Sequence, residues 1–67
     1  MITVFVNGEA RDVPDSQHLA ELVDAHTRSR SGVAVAVDGE VVPRTAWPEH
    51  ALRAGAKVEI LTAVQGG

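Results

Sequence analysis

The chain has 67 residues, of which 45% are apolar and 22% charged, with a formal net charge of −3, no cysteine, and Phe5 and Trp47 as its aromatic side chains. This length suits a single globular domain, residues 1–67, near the lower limit for independent folding, where only ~60% of the unfolded surface is buried. The acidic balance gives no pull toward nucleic acid or anionic membrane. Absence of cysteine excludes a disulfide scaffold, a thiolate metal site and a cysteine nucleophile, and fits a reducing cytoplasmic compartment.

In chain order, Ile2, Val4 and Val6 alternate with Thr3, Phe5 and Asn7, the pattern of a strand with one buried face. Asn7-Gly8 then predicts a two-residue type I′ hairpin, which needs positive φ at both positions. A more polar return strand, Glu9 to Val13, ends at Pro14 as suits a sheet edge. Asp15 and Ser16 are candidate helix N-caps. Leu19, Leu22, Val23 and His26 follow at i, i+3, i+4 and i+7, one apolar stripe on a helix too short to stand alone. The Thr27–Ser31 connection, with Arg28 and Arg30, is polar and reads as a solvated loop. Val33, Val35 and Val37 alternate with Ala34 and Ala36 before a second tight-turn signal, Asp38-Gly39, and a short return to Val42. Beyond Pro43, Thr45 is placed to cap one helical turn that carries Trp47 and stops at Pro48. Trp47 reads as a satellite of the core, Leu52 as a core plug, and Ala54-Gly55 as a turn into the last strand. That strand has Val58, Ile60, Thr62 and Val64 at alternate positions and runs directly into Gly66-Gly67.

This order predicts an α+β domain: a mixed sheet of four to five strands with one helix packed across one face. A helix between two hairpins must cross one face of the sheet, and the last strand, apolar along its core side, belongs in the middle. The valines of the first, third and fifth strands then face the helix. Phe5, Ala34, Ala36, Leu61 and Ala63 fall on the other face, for which the sequence offers no second helix. An uncovered apolar patch of this kind marks a partner surface.

Side-chain chemistry is sparse. His18 and His26 lie eight residues apart on one helix, ~12 Å along its axis, too far to share an ion. Carboxylates fall on turns and exposed faces without a paired constellation, and Ser16 has no relay. No metal site and no catalytic residue are expected. The chain reads as something an enzyme acts on, through its terminal carboxylate. Extended, residues 63 to 67 span roughly 13 Å, and the glycines lack the Cβ atoms that would obstruct a narrow channel.

The segment from Val33 through Val41-Val42-Pro43-Arg44 and Trp47, then Gly55-Ala56-Lys57 through Thr62-Ala63-Val64-Gln65-Gly66-Gly67, resembles the ThiS family of sulfur carriers of thiamine biosynthesis. The hairpin at Val6-Asn7-Gly8-Glu9 and the Leu19-Ala20-Glu21-Leu22 helix are similar too. Ala56, where the family more often has an acidic turn residue, and the Thr27–Ser31 loop depart from its pattern. The resemblance implies a ubiquitin-like β-grasp fold with a flexible Gly-Gly tail from about residue 64. It also implies that a ubiquitin-activator-like adenylating enzyme uses Mg-ATP to activate the Gly67 carboxylate. Sulfur drawn from cysteine through a desulfurase would replace AMP, and thiazole synthase would take it from the Gly67 thiocarboxylate. Val64, Gln65 and Gly66 would thread into partner sites, with Phe5, Ala34, Ala36, Leu61 and Ala63 as the docking face. A molybdopterin-type carrier, a ubiquitin-like protein modifier and a plain interaction module are the alternatives.

Overall fold

The computed structural model describes residues 1–27 and 32–62. Two tight turns organise it. Asn7 and Asp38 both sit at φ 51°, followed by Gly8 at 87° and Gly39 at 85°, so each turn has the two positive φ values of the expected type I′ geometry. The first joins β1 (Ile2–Val6) to β2 (Glu9–Val13), and the second joins β3 (Val33–Val37) to β4 (Glu40–Val42). Between the hairpins lies α1 (Leu19–His26), and after them come a 3₁₀ helix (Arg44–Glu49) and β5 (Lys57–Thr62).

The five strands form one sheet in the order β2-β1-β5-β3-β4. As expected, the last strand occupies the centre. It runs parallel to β1, with Val6 opposite Val58, and antiparallel to β3, with Val35 opposite Ile60. Alternation along these strands sends Val4, Val6, Val35, Val37, Val58 and Ile60 to one face, where they are buried against Leu19, Ala20, Leu22 and Val23 of α1. β2 is an edge strand of which only Val13 is buried.

Four local expectations need correction. The helix N-cap is His18, not Asp15 or Ser16. The cause is long-range: His18 forms a bridge with Ala51, with the Leu19 amide donating to the His50 carbonyl (2.8 Å) and the Leu52 amide to the Gln17 carbonyl (3.1 Å). His18 is thereby held extended, and helical geometry begins only at Leu19. The Glu21 carboxylate accepts from the His18 amide (2.8 Å), the reverse half of a capping box, while Asp15 pairs instead with the terminal ammonium at 2.7 Å. His26 does not join the buried stripe. It is the last helical residue and is exposed, and Ala20 takes its place in the core.

Trp47 is a full member of the central cluster rather than a satellite, 1% exposed, with its indole donating to the Val42 carbonyl at 2.9 Å. The 3₁₀ helix that carries it starts from Pro43 rather than Thr45 and continues through Pro48 to Glu49. Ala56, at the position where an acidic turn residue is the norm of the resemblance, is buried in the core cluster, and the turn itself is Ala54-Gly55. The remainder of the Thr27–Ser31 connection beyond Thr27, and the terminal residues 63–67, lie outside the described residues.

Candidate functional site

The site is assembled around β5, because that strand leads to the terminal glycines. Each end of it is pinned by the first residue of a hairpin turn. At its start, the Lys57 amide donates to the Asp38 carboxylate (3.0 Å) and the Lys57 carbonyl accepts from the Asp38 amide (2.8 Å). Toward its end, the Asn7 carboxamide makes two partly buried bonds to Ile60: the Ile60 amide donates to Oδ1 (2.9 Å), and Nδ2 donates to the Ile60 carbonyl (3.1 Å). The difference in residue type follows from the groups to be satisfied. At Lys57 the side chain needs only to accept, so a carboxylate serves; at Ile60 it must both accept and donate, which requires an amide.

The sheet face away from α1 carries Phe5 on β1, Ala34 and Ala36 on β3, and Leu61 on β5, four of the expected docking residues, with Ala34 directly opposite Leu61. Phe5 is 37% exposed and Leu61 69%. Val41 belongs here as well. It lies opposite Ala36 and is 77% exposed. Sequence reasoning passed it over, although the apolar pair Val41-Val42 on a strand must send one side chain outward. The face is not uniformly apolar, because the outer positions of β5 are 57, 59 and 61 and the first two are charged. Lys57 stands opposite Phe5, and Glu59 opposite Ala36. Lys57, Glu59, Phe5, Gly8 and Val58 line a shallow groove beside the Asn7-Gly8 turn. Next to the start of β5, a more polar cleft lies between Asp38, Glu40, Glu49, His50 and Arg53.

Ala63, Val64, Gln65, Gly66 and Gly67 lie outside the described residues, so the site is described as far as Thr62. Among the described residues no three His, Asp or Glu side chains gather where they would hold one metal ion, and no helix is long and apolar enough to cross a membrane. The arrangement therefore offers an exposed, partly apolar sheet face crossed by the central strand, β5, which residues 63–67 follow in the sequence.

Comparison with known proteins gives a consistent result. The family model described as the ThiS family matches residues 4–67. The sulfur carrier protein ThiS of Escherichia coli (strain K12) is 25% identical over 64 residues, 96% of this chain and 97% of that one. A crystal structure of a thiamine biosynthesis protein (ThiS) from Geobacter metallireducens superposes with a TM-score of 0.79 at 30% identity, covering 98% of this chain and 100% of that chain. A solution structure of a thiamine biosynthesis protein from the same organism gives 0.80 at 30% identity over 98% of this chain and 88% of that one. The likeness bears out the ubiquitin-like β-grasp fold.

Proposed function

Because this chain belongs to the ThiS family, we propose that it is a sulfur carrier whose Gly67 carboxylate is loaded and unloaded by partner enzymes while the domain itself catalyses nothing. The observation that carries this reading is the coincidence of a ThiS-family match running to Gly67 with a central strand, β5, that is followed in the sequence by Ala63-Val64-Gln65-Gly66-Gly67. A free carboxylate is a poor acylating group. A ubiquitin-activator-like enzyme with Mg-ATP attaches AMP to it, releasing pyrophosphate. A persulfide formed from cysteine by a desulfurase then displaces AMP to give an acyl disulfide, and a thiol, which is oxidised to a disulfide, cleaves its S–S bond and leaves a thiocarboxylate. Thiazole synthase takes that sulfur for the thiazole ring of thiamine.

The chain's own contribution is reach and docking. The glycines at 66 and 67 present no side chain to a narrow channel. Phe5, Ala34, Ala36 and Leu61, joined by Val41, supply apolar contact that offsets the entropy of ordering the terminal residues. Lys57 and Glu59 within the same face add charge complementarity, which favours orientation over raw affinity.

The direct test is the intact mass of the protein after incubation with an adenylating enzyme, Mg-ATP, cysteine and a desulfurase. The expected result is a gain equal to replacing one oxygen by sulfur, localised to Gly67. Deletion of Gly67 abolishes that gain and leaves the melting transition unchanged. A deletion variant that still loads refutes the mechanism.

A further inference from the structure

The Asn7 carboxamide does more than suit a turn. Along the β1–β5 interface the backbone ladder runs in parallel steps: the Phe5 amide donates to the Ala56 carbonyl (2.8 Å), and the Asn7 amide to the Val58 carbonyl (2.9 Å). The next step of a parallel ladder would bring a carbonyl from residue 7 to the Ile60 amide and an amide from residue 9 to the Ile60 carbonyl. β1 has already turned away at Asn7-Gly8, so the backbone supplies neither. The Asn7 side chain supplies both, at 2.9 and 3.1 Å. Its carboxamide stands in for a missing segment of strand. It holds β5 on the β1 side at Ile60, while Ala34 and Val33 pair with Leu61 and Thr62 on the other side. Ile60 is thus the last residue of β5 held from both flanks.

We propose that Asn7 is a positioning residue for the terminal segment: by clamping Ile60 it fixes where the end of β5, Leu61 and Thr62, lies in the sheet, and so the place from which the chain continues beyond Thr62. This rests on the carrier reading above, in which that segment must enter a partner's site. The clamp lies beside the groove lined by Phe5, Gly8, Lys57, Val58 and Glu59, so it also fixes the segment relative to the docking face. Without it, β5 beyond Val58 is held only by β3, and the strand end at Leu61 and Thr62 samples more positions relative to β1. A smaller fraction of molecules then presents the terminus in a competent geometry, which raises the apparent dissociation constant without changing the bound complex.

The test compares Asn7→Gly, which keeps the positive φ of the turn and removes the carboxamide, with Asn7→Asp, which keeps the acceptor for the Ile60 amide and loses the donor. Val42→Ala serves as a control that weakens the core away from the clamp. Hydrogen exchange read by NMR is expected to speed up at Ile60 in Asn7→Gly on the order of tenfold relative to Val58, with Asn7→Asp between it and the wild type. In carrier-dependent ATP–pyrophosphate exchange with the adenylating enzyme, Asn7→Gly is expected to raise KM about threefold or more at unchanged kcat, and Val42→Ala to leave both unchanged. Unaltered exchange at Ile60, or a KM for Asn7→Gly that matches Val42→Ala, overturns the proposal. Failure of the wild type to be adenylated strikes the carrier reading instead, and exchange at Ile60 still decides whether Asn7 holds the strand.

Discussion

Replacing Leu61 by Asp separates docking from folding. Leu61 is 69% exposed on the sheet face opposite α1, so about one third of its surface is already covered by the fold. Full burial of a leucine contributes ~2 kcal/mol, and folding therefore loses well under 1 kcal/mol from that covered part. Placing Asp in a strand adds up to ~1 kcal/mol. A total of ~1–2 kcal/mol lowers Tm by roughly 4–8 °C per kcal/mol in a domain of this size, which a small domain with ~3–5 kcal/mol survives. Docking suffers more. The exposed two thirds of the side chain is worth ~1.4 kcal/mol when a partner covers it, a factor of ten. Burying a carboxylate against a partner costs several kcal/mol further. The expected result is a rise in the KM for carrier adenylation on the order of a hundredfold or more, with far-UV circular dichroism unchanged. Ala25→Asp is the matched control: it adds the same charge at an exposed position on α1, on the far side of the molecule. Equal effects of Leu61→Asp and Ala25→Asp on KM would mean that net charge, not the face, governs association, and the docking argument would fail.

Trp47→Phe removes the indole donor to the Val42 carbonyl and part of the largest fully buried side chain. About 1 kcal/mol of lost burial and ~1–3 kcal/mol for the deprived carbonyl consume most of the stability of so small a domain, a loss read by urea titration followed by circular dichroism. The two turn residues should respond oppositely to exchange of amide and carboxylate. Asp38→Asn keeps an acceptor for the Lys57 amide and stays within ~0.5 kcal/mol of wild type, whereas Asn7→Asp turns a carboxylate oxygen toward the Ile60 carbonyl and costs ~1–2 kcal/mol. Equal stabilities of these two variants in thermal melts would contradict the account of why position 7 carries an amide.

Much of this architecture is legible because it is local. Asn7-Gly8 and Asp38-Gly39 announce their turns, period-two valines announce the buried face, and strand-to-strand bookkeeping places β5 in the centre. What escaped the sequence depends on contacts between distant residues. The helix begins at Leu19 because Ala51 holds His18 extended, and nothing within residues 14–19 encodes that restraint. Asp15 and Ser16 are sound caps by type, yet they stand before the point where helical geometry is permitted. His26 fits the stripe by spacing but falls at the end of α1, where Thr27 already closes the helix by donating to the Val23 carbonyl. For Asn7 the turn preference was visible and accounted for the residue so fully that its second role, 53 positions away at Ile60, gave no separate signal. The sheet face away from α1 was readable in outline, through Phe5, Ala34, Ala36 and Leu61. Its charges at Lys57 and Glu59 and its extension to Val41 followed from strand alternation and were passed over, while their partners across the sheet required the register.

The uncovered face and the short chain are connected. With one eight-residue α-helix among the described residues, the domain can cover a single side of a five-stranded sheet, and most of its strongest apolar residues are committed to that side, Leu61 and Val41 being the exceptions. The other side must stay soluble without a second layer. Small Ala34 and Ala36, the charges at Lys57 and Glu59, and the Thr3–Asp12 hydrogen bond at 2.8 Å keep its apolar area divided into pieces rather than one broad patch. Such a surface sustains moderate, reversible association. A carrier that must bind one enzyme to be loaded and leave it to be unloaded by another needs that property, since every increment of affinity for the first partner slows transfer to the second. Filling the face, for example by Ala36→Leu, should therefore tighten binding to a partner with a complementary pocket while slowing multiple turnover. A variant that bound more tightly and still cycled at the wild-type rate would show that release is not what limits the exchange.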